Sequence, residues 1–141
     1  QAKQELEETT DRYKRIMAEF ENFKKRSSKE RELLYGNLVG DIVTSFLPVI
    51  DNLEKAMNVQ TTDENYKQGV VMVGKQFSDV LNSLGVEKIE TVGKTFDPEF
   101  HEAVASVPDE NLGEQEIKEE YRAGYKYKNK VIRHAMVVVA N

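Results

Sequence analysis

QAKQELEETTDRYKRIMAEFENFKKRSSKERELLYGNLVGDIVT, residues Gln1 to Thr44, contains no proline, and only Gly36 and Gly40 weaken it as a helix. Apolar residues recur at Leu6, Tyr13, Met17 and Phe20, then at Leu34, Leu38 and Ile42. These positions lie three, four or seven residues apart, or at multiples of those spacings, and so fall on one slowly drifting helical stripe. Lys24 to Glu32 holds no apolar residue, yet the phase resumes after it, with Ser27 and Arg31 on the stripe. A helix of this length, roughly 65 Å at about 1.5 Å per residue, cannot bury its own stripe and needs a partner helix. No later segment is long enough to fold back along it, so the simplest partner is another copy of the chain. The seam drifts from a strict heptad toward longer spacing, which predicts little left-handed supercoil.

Further along, Pro48 is expected to kink or restart the helix, because it removes an amide donor and crowds the preceding turn. Phe46, Leu47, Val49, Ile50, Leu53, Ala56 and Met57 are apolar nearly all round, a pattern of deeper burial. Thr61-Thr62-Asp63 supplies cap-type residues for a second helix reaching about Leu84, with Gly85 as its stop. Its apolar face is Tyr66, Val70, Val73, Phe77, Val80, Leu81 and Leu84. The two helices make a hairpin, and two copies of it make a four-helix bundle. In this reading Met17, Phe20, Leu34, Leu38, Ile42, Leu53, Val70 and Phe77 form the dimer interface.

After Gly85 the texture changes. Val86, Ile89 and Val92 read as a strand, and Phe96 to Pro108 as a turn-rich connection. Ile117 to Tyr127 and Lys130 to Val139 read as β, with a hairpin turn at Lys128-Asn129 and a central strand in the last run. The fold expected is α+β, in three parts. A dimerisation helix over 1–45 pairs in a parallel homodimer, a helical hairpin over 46–85 builds the bundle, and 86–141 is a small β domain. That last part, about 55 residues, is near the lower limit of independent stability.

Composition narrows the function. The net charge of −5 argues against nucleic acid as the main ligand, since phosphate binding needs a strong basic field. With no cysteine, disulfides, thiolate catalysis and finger-type zinc clusters are excluded, and a reducing cytoplasm is compatible. No apolar run approaches the roughly 20 residues of a membrane span, and the start at Gln1 without Met points to a trimmed chain. His101 and His134 are far apart without metal-ligand spacing, and no phosphate loop, dinucleotide fingerprint or nucleophile elbow occurs. His101 is expected to order a loop and His134 to lie at a surface or edge. Neither an enzyme nor a cofactor is expected.

Two charge features remain. Lys24, Lys25, Arg26, Lys29 and Arg31 form a basic band on the first helix. Arg122, Lys126, Lys128, Lys130 and Arg133 follow an acidic stretch that includes Asp109, Glu110, Glu114, Glu116, Glu119 and Glu120. Such runs are ordinarily solvated faces that pair across strands; a dock for an acidic protein partner is the sharper alternative.

Three blocks carry a family resemblance. Met17-Ala18-Glu19-Phe20-Glu21-Asn22-Phe23-Lys24-Lys25-Arg26 resembles the long-helix signature of the GrpE family. Leu47-Pro48-Val49-Ile50-Asp51-Asn52-Leu53-Glu54-Lys55-Ala56 resembles the start of that family's helical bundle. Phe96-Asp97-Pro98, His101, Ala103, Val104, Gly124-Tyr125, Ile132-Arg133, Ala135, Val137 and Val139 resemble its β-domain signature in type and spacing. Together they cover nearly the whole chain in the right order. Asn129 departs from the usual Gly or acid at the hairpin turn but tolerates a left-handed backbone. The acidic leader common in such proteins is not in this sequence.

The resemblance implies a homodimeric nucleotide exchange factor for a DnaK-type chaperone ATPase, working without a cofactor, nucleic acid or membrane. It also implies that Phe96, Asp97, Pro98, Tyr121, Lys130 and Val139 face the chaperone, with Lys24, Lys25 and Arg26 as a second contact. Lys24 and Lys130 replace a frequent Arg, keeping the charge but losing its bidentate fork. Gly69 and Gly74 are expected as close-packing positions of the bundle. The rival reading is a coiled-coil scaffold whose β domain holds another protein.

Overall fold

The computed structural model describes residues 1–141. Helix α1 spans Ala2–Met57 and α2 spans Glu64–Ser83. They are followed by β1 (Val86–Lys88), β2 (His101–Val107), β3 (Ile117–Arg122), β4 (Tyr125–Tyr127), β5 (Lys130–Arg133) and β6 (Ala135–Ala140). This is the α+β arrangement expected, a long helix, a second helix and a small β region. By contact density the chain divides into two units, Gln1–Leu38 and Val39–Asn141.

The first unit is helix alone. Among its large apolar residues Leu6, Tyr13, Phe20 and Phe23 are all more than half exposed. Lys24 lies 5.4 Å from the Phe20 ring and Arg26 5.8 Å from the Phe23 ring, so part of the basic band rests on aromatic faces.

In the second unit α1 does not restart at Pro48; it continues to Met57. The amide that proline lacks would have bonded the carbonyl of Thr44. Thr44 and Pro48 are both exposed, so water can satisfy that carbonyl. Just upstream, the Thr44 hydroxyl donates to the Gly40 carbonyl at 2.7 Å and the Ser45 hydroxyl to the Asp41 carbonyl at 3.2 Å, the back-bonding that lets hydroxyl residues sit within a helix. The boundary expected at residue 45 therefore falls inside an unbroken helix.

The segment read as apolar nearly all round resolves into two stripes. Val39, Val43, Leu47 and Ile50, at spacings of four, four and three, are buried. Leu38, Ile42, Phe46 and Val49, each one residue earlier, are 50–58% exposed. One residue is about 100° around a helix, so the stripes are adjacent and only one is covered by this chain. Contrary to expectation, α1 also contains an 18-residue window apolar enough to cross a membrane. The buried stripe explains part of that apolarity as core.

Asp63 caps α2 by accepting from the Tyr66 amide at 3.1 Å, and the helix ends where Gly85 takes a φ of +85°. The β region is two three-stranded sheets, β1-β4-β5 and β2-β6-β3. The expected turn at Lys128-Asn129 joins β4 to β5, but the left-handed residue is Lys128, with φ +51°, rather than Asn129. β6 is central to its sheet, as its β-branched run suggested. The connection expected over Phe96 to Pro108 contains a strand instead: β2 pairs parallel with β6. Its sequence, HEAVASV, carries no clean apolar alternation, and a remote partner supplies the pairing. The continuous β run expected from Ile117 to Tyr127 is broken at Ala123-Gly124, and that from Lys130 to Val139 at His134, because at both places the chain passes between sheets.

Two cores follow. Val39, Val43, Leu47 and Ile50 of α1 meet Leu81 of α2, Val86, Ala123 and Tyr125. Ile89, Ile117, Ala135, Val137 and Val139 form the other. Where the chain changes sheets the backbones nearly touch: a Cβ on Gly124 would stand 2.7 Å from the Ala135 Cα and 2.8 Å from the Arg133 carbonyl oxygen. Only glycine fits there.

Candidate functional site

Sheet β1-β4-β5 lies against α1, and one cross-strand row of it is polar. Lys88 is paired with Tyr125, and Tyr125 with Arg133. Tyr125 is buried in the core, 5.8 Å from the Arg133 guanidinium. The row faces Asp51 and Glu54, three residues apart and therefore neighbours on one face of α1.

Arg133 makes a fork with Asp51, donating from Nη1 to Oδ2 at 2.9 Å and from Nη2 to Oδ1 at 2.8 Å. Its Nε donates to the Ala123 carbonyl at 3.0 Å, and Nη2 also reaches that oxygen. The side chains are only 14% and 24% exposed, so the pair is largely shielded from solvent. The Arg133 hydrogen bond holds the Asp51 carboxyl below its ordinary value, against the opposing effect of burial. At the other end Lys88 reaches Glu54 at 3.0 Å and Glu120 at 3.1 Å. Burial works against its charge, but the two carboxylates outweigh that and raise its pKa. Glu120 also accepts from the Thr91 hydroxyl at 2.6 Å. Burial, with the Glu54 charge second, pushes the Tyr125 hydroxyl up to about 12.

Next to Glu120 on β3, Tyr121 is 72% exposed, which makes it the most exposed aromatic residue of the chain. It borders a cleft that α1 closes with Asp51, Glu54 and Lys55. Arg122 lines the same cleft, and its Nε is buried without a hydrogen-bond partner.

None of the other β-region residues drawn from the family pattern lines that cleft. Phe96 is half-buried and packs on the second core, with its ring 6.0 Å from His101. Val139 is 9% exposed and belongs to that core, beneath the surface rather than on it. Asp97 is held in a turn: its carboxylate accepts from the Glu99 amide at 2.9 Å and its carbonyl from the Phe100 and His101 amides. Pro98 and Lys130 are exposed. His101 is 6% exposed, with Nδ1 accepting from the Asp97 amide at 3.0 Å, so Nε2 carries the proton that is donated to the Glu90 carbonyl at 2.8 Å. It orders that loop, as expected, while His134 is exposed between β5 and β6.

Lys24, Lys25 and Arg26 are exposed on α1, with Lys24 3.8 Å from Glu21. Of the residues expected at a dimer interface, Met17, Phe20, Leu34, Leu38 and Ile42 are 41–59% exposed. Leu53 and Val70 are half-buried, and Phe77 packs on the first core of its own chain. Gly74 is a close-packing position within the chain, since a Cβ there would strike the Met57 side chain; Gly69 meets nothing within 4 Å.

The basic run read as a surface feature loses Arg133 to Asp51, and Lys126 lies 5.4 Å from the Phe100 ring. Sequence reading thus placed Asp51 and Arg133 within matching blocks but assigned neither a role. The available signal was an acid set between Ile50 and Leu53 in an apolar helical segment and an Arg in a β-branched run, two charges that need each other if buried.

Comparison with known proteins agrees with this architecture. The GrpE family model matches residues 1–141. Protein GrpE of Clostridium acetobutylicum is 45% identical over 137 residues, covering 97% of this chain and 68% of that protein. Protein GrpE of Lachnoclostridium phytofermentans is 45% identical over 138 residues, with 96% and 62% covered. For Protein GrpE of Oceanobacillus iheyensis the identity is 45% over 138 residues, with 96% and 73% covered. The chain thus spans between 62% and 73% of the length of these relatives. Matched from end to end by the family model and at this identity by its relatives, the chain belongs to the GrpE family of co-chaperone nucleotide exchange factors.

Proposed function

We propose that this chain acts as a homodimer in the cytoplasm, binds the ATPase domain of a DnaK-type chaperone, holds its nucleotide cleft open and accelerates ADP release. The protein makes and breaks no bond. It shifts an equilibrium by binding the open ATPase more tightly than the closed, ADP-bound one, and the shift can be no larger than that difference in affinity. Residues 86–141 dock the chaperone, 46–85 build the bundle of the dimer, and 1–45 pair through the exposed stripe.

Tyr121 carries the reading. An aromatic side chain 72% exposed at the rim of a polar cleft is what an interface anchor looks like before its partner arrives. Pro98 and the exposed edge of Phe96 extend the contact, Asp97 fixes the turn that presents them, and Lys130 supplies a rim charge. Val139 supports this surface from beneath. Lys24, Lys25 and Arg26 make a separate contact on α1. No nucleic acid or membrane takes part.

The test is stopped-flow release of a fluorescent ADP from a DnaK-type ATPase. The unmodified chain accelerates release. Tyr121→Ala weakens chaperone binding by about 2 kcal/mol and leaves the dimer intact. Lys130→Glu slows association, more so at low salt where charges are less screened. No acceleration from any DnaK-type ATPase tried would overturn the function. Acceleration that neither variant alters would overturn the site.

A further inference from the structure

We infer that Arg133 is a positioning residue for chaperone binding: it ties the end of the strand bearing Tyr121 to helix α1 and so fixes where that anchor stands. The inference rests on the proposed exchange function and assigns a part to residues that touch no partner. Ala123, whose carbonyl accepts from Arg133, lies two residues after Tyr121, immediately past the end of β3. The same guanidinium forks Asp51 of α1 through two further bonds. One planar group therefore joins a helix carboxylate to the strand terminus, with no rotatable side-chain bond between its donors.

The surroundings leave this connection little slack. Gly124, immediately after Ala123, is pressed against the backbone of Ala135 and the carbonyl of Arg133 itself. On the other side of β4, Lys88 ties Glu54 of α1 to Glu120, which adjoins Tyr121. The strand that carries the anchor is thus held from both sides by cations that also grip α1. The apolar core beneath it can slide with small loss, because dispersion contacts are not directional. The fork cannot, because its bonds weaken steeply off axis. A binding partner that needs Tyr121 at one place over the cleft gains from this fixation by losing less freedom on binding.

A double-mutant cycle separates positioning from mere stability. Arg133→Lys keeps the charge and loses the fork, while Asp51→Asn keeps the shape and loses the charge. Each is made alone and in the Tyr121→Ala background, and the concentration of factor giving half-maximal ADP release is measured for the full chain. Either change raises that concentration about tenfold when Tyr121 is present and less than twofold when it is not. Equal losses in both backgrounds overturn the inference.

The cysteine-free chain allows an independent arm. Spin labels at Lys55→Cys and Lys128→Cys report the spread of distances between α1 and the β4–β5 turn. The spread is narrow in the parent protein and broadens with Arg133→Lys or Asp51→Asn. An unchanged distribution overturns the inference whatever the exchange assay gives. Failure of the unmodified chain to accelerate release strikes the exchange function instead, and is told apart by that arm.

Discussion

Lys88 and Arg133 stand at opposite ends of one cross-strand row, on either side of buried Tyr125, and each reaches a different acid on the same face of α1. The β region is therefore joined to α1 by apolar burial and also by two directional ionic contacts flanking an aromatic ring. The network makes stability depend on pH at both ends of the scale.

On the acid side, the folded state holds Asp51 below its ordinary 3.8. A lowered carboxyl pKa stabilises the fold above the unfolded value, and that stability is lost as pH falls through the folded one. Thermal unfolding should accordingly show the melting temperature dropping below about pH 4, with Asp51→Asn less stable at neutral pH and flatter through the acid limb. An unchanged acid limb in Asp51→Asn counts against this.

The alkaline side follows from Tyr125. Its pKa rises from 10.0 to about 12, so the folded state favours the neutral hydroxyl. Stability is full below the unfolded value and falls as pH rises through that interval. Tyr125→Phe should remove this loss, and titration of tyrosinate absorbance should show one late-ionising residue in the parent that is absent from the variant.

Gly124→Ala should be among the most damaging small substitutions in the chain. The added methyl meets backbone rather than a yielding side chain, and overpacking of this kind costs about 1–3 kcal/mol or more. Chemical denaturation followed by the β signal measures it. A cost below about 0.5 kcal/mol, the usual size of a neutral surface change, would show that the two sheet crossings can separate freely.

Leu34→Asp with Leu38→Asp tests the exposed stripe. Both residues are more than half exposed within one chain, so in a monomer the exchange is nearly free. In a dimer it buries unpaired charge and weakens pairing. Sedimentation should show the unmodified chain as a dimer and the variant shifted toward monomer; a monomeric parent ends the proposal.

Heating should unfold the chain in two steps. Residues Gln1–Leu38 form a separate unit of helix alone, while Val39–Asn141 contains both cores. Regions with few buried contacts open first. Helicity should decline at lower temperature than the β signal, and a single calorimetric transition with both signals lost together refutes the prediction.

Much of this protein was determined by its sequence alone, wherever the deciding interactions are local. The stripe from Leu6 to Ile42, the Asp63 cap, the Gly85 stop and the turn at Lys128-Asn129 each depend on residues within a turn or two of one another. A contact role for Tyr121, proposed above, was legible only through resemblance to a family. The tertiary structure decided the rest. Pro48 does not end α1, since the Thr44 carbonyl it leaves unpaired lies on an exposed face of the helix. The weakly patterned β2 becomes a strand because β6 offers it an edge. Arg133, read as one charge of a surface run, turns inward to Asp51, 82 residues away in sequence. A charge's partner at that distance leaves no periodic mark in the chain; it is chosen by which backbones the two cores bring within hydrogen-bond reach.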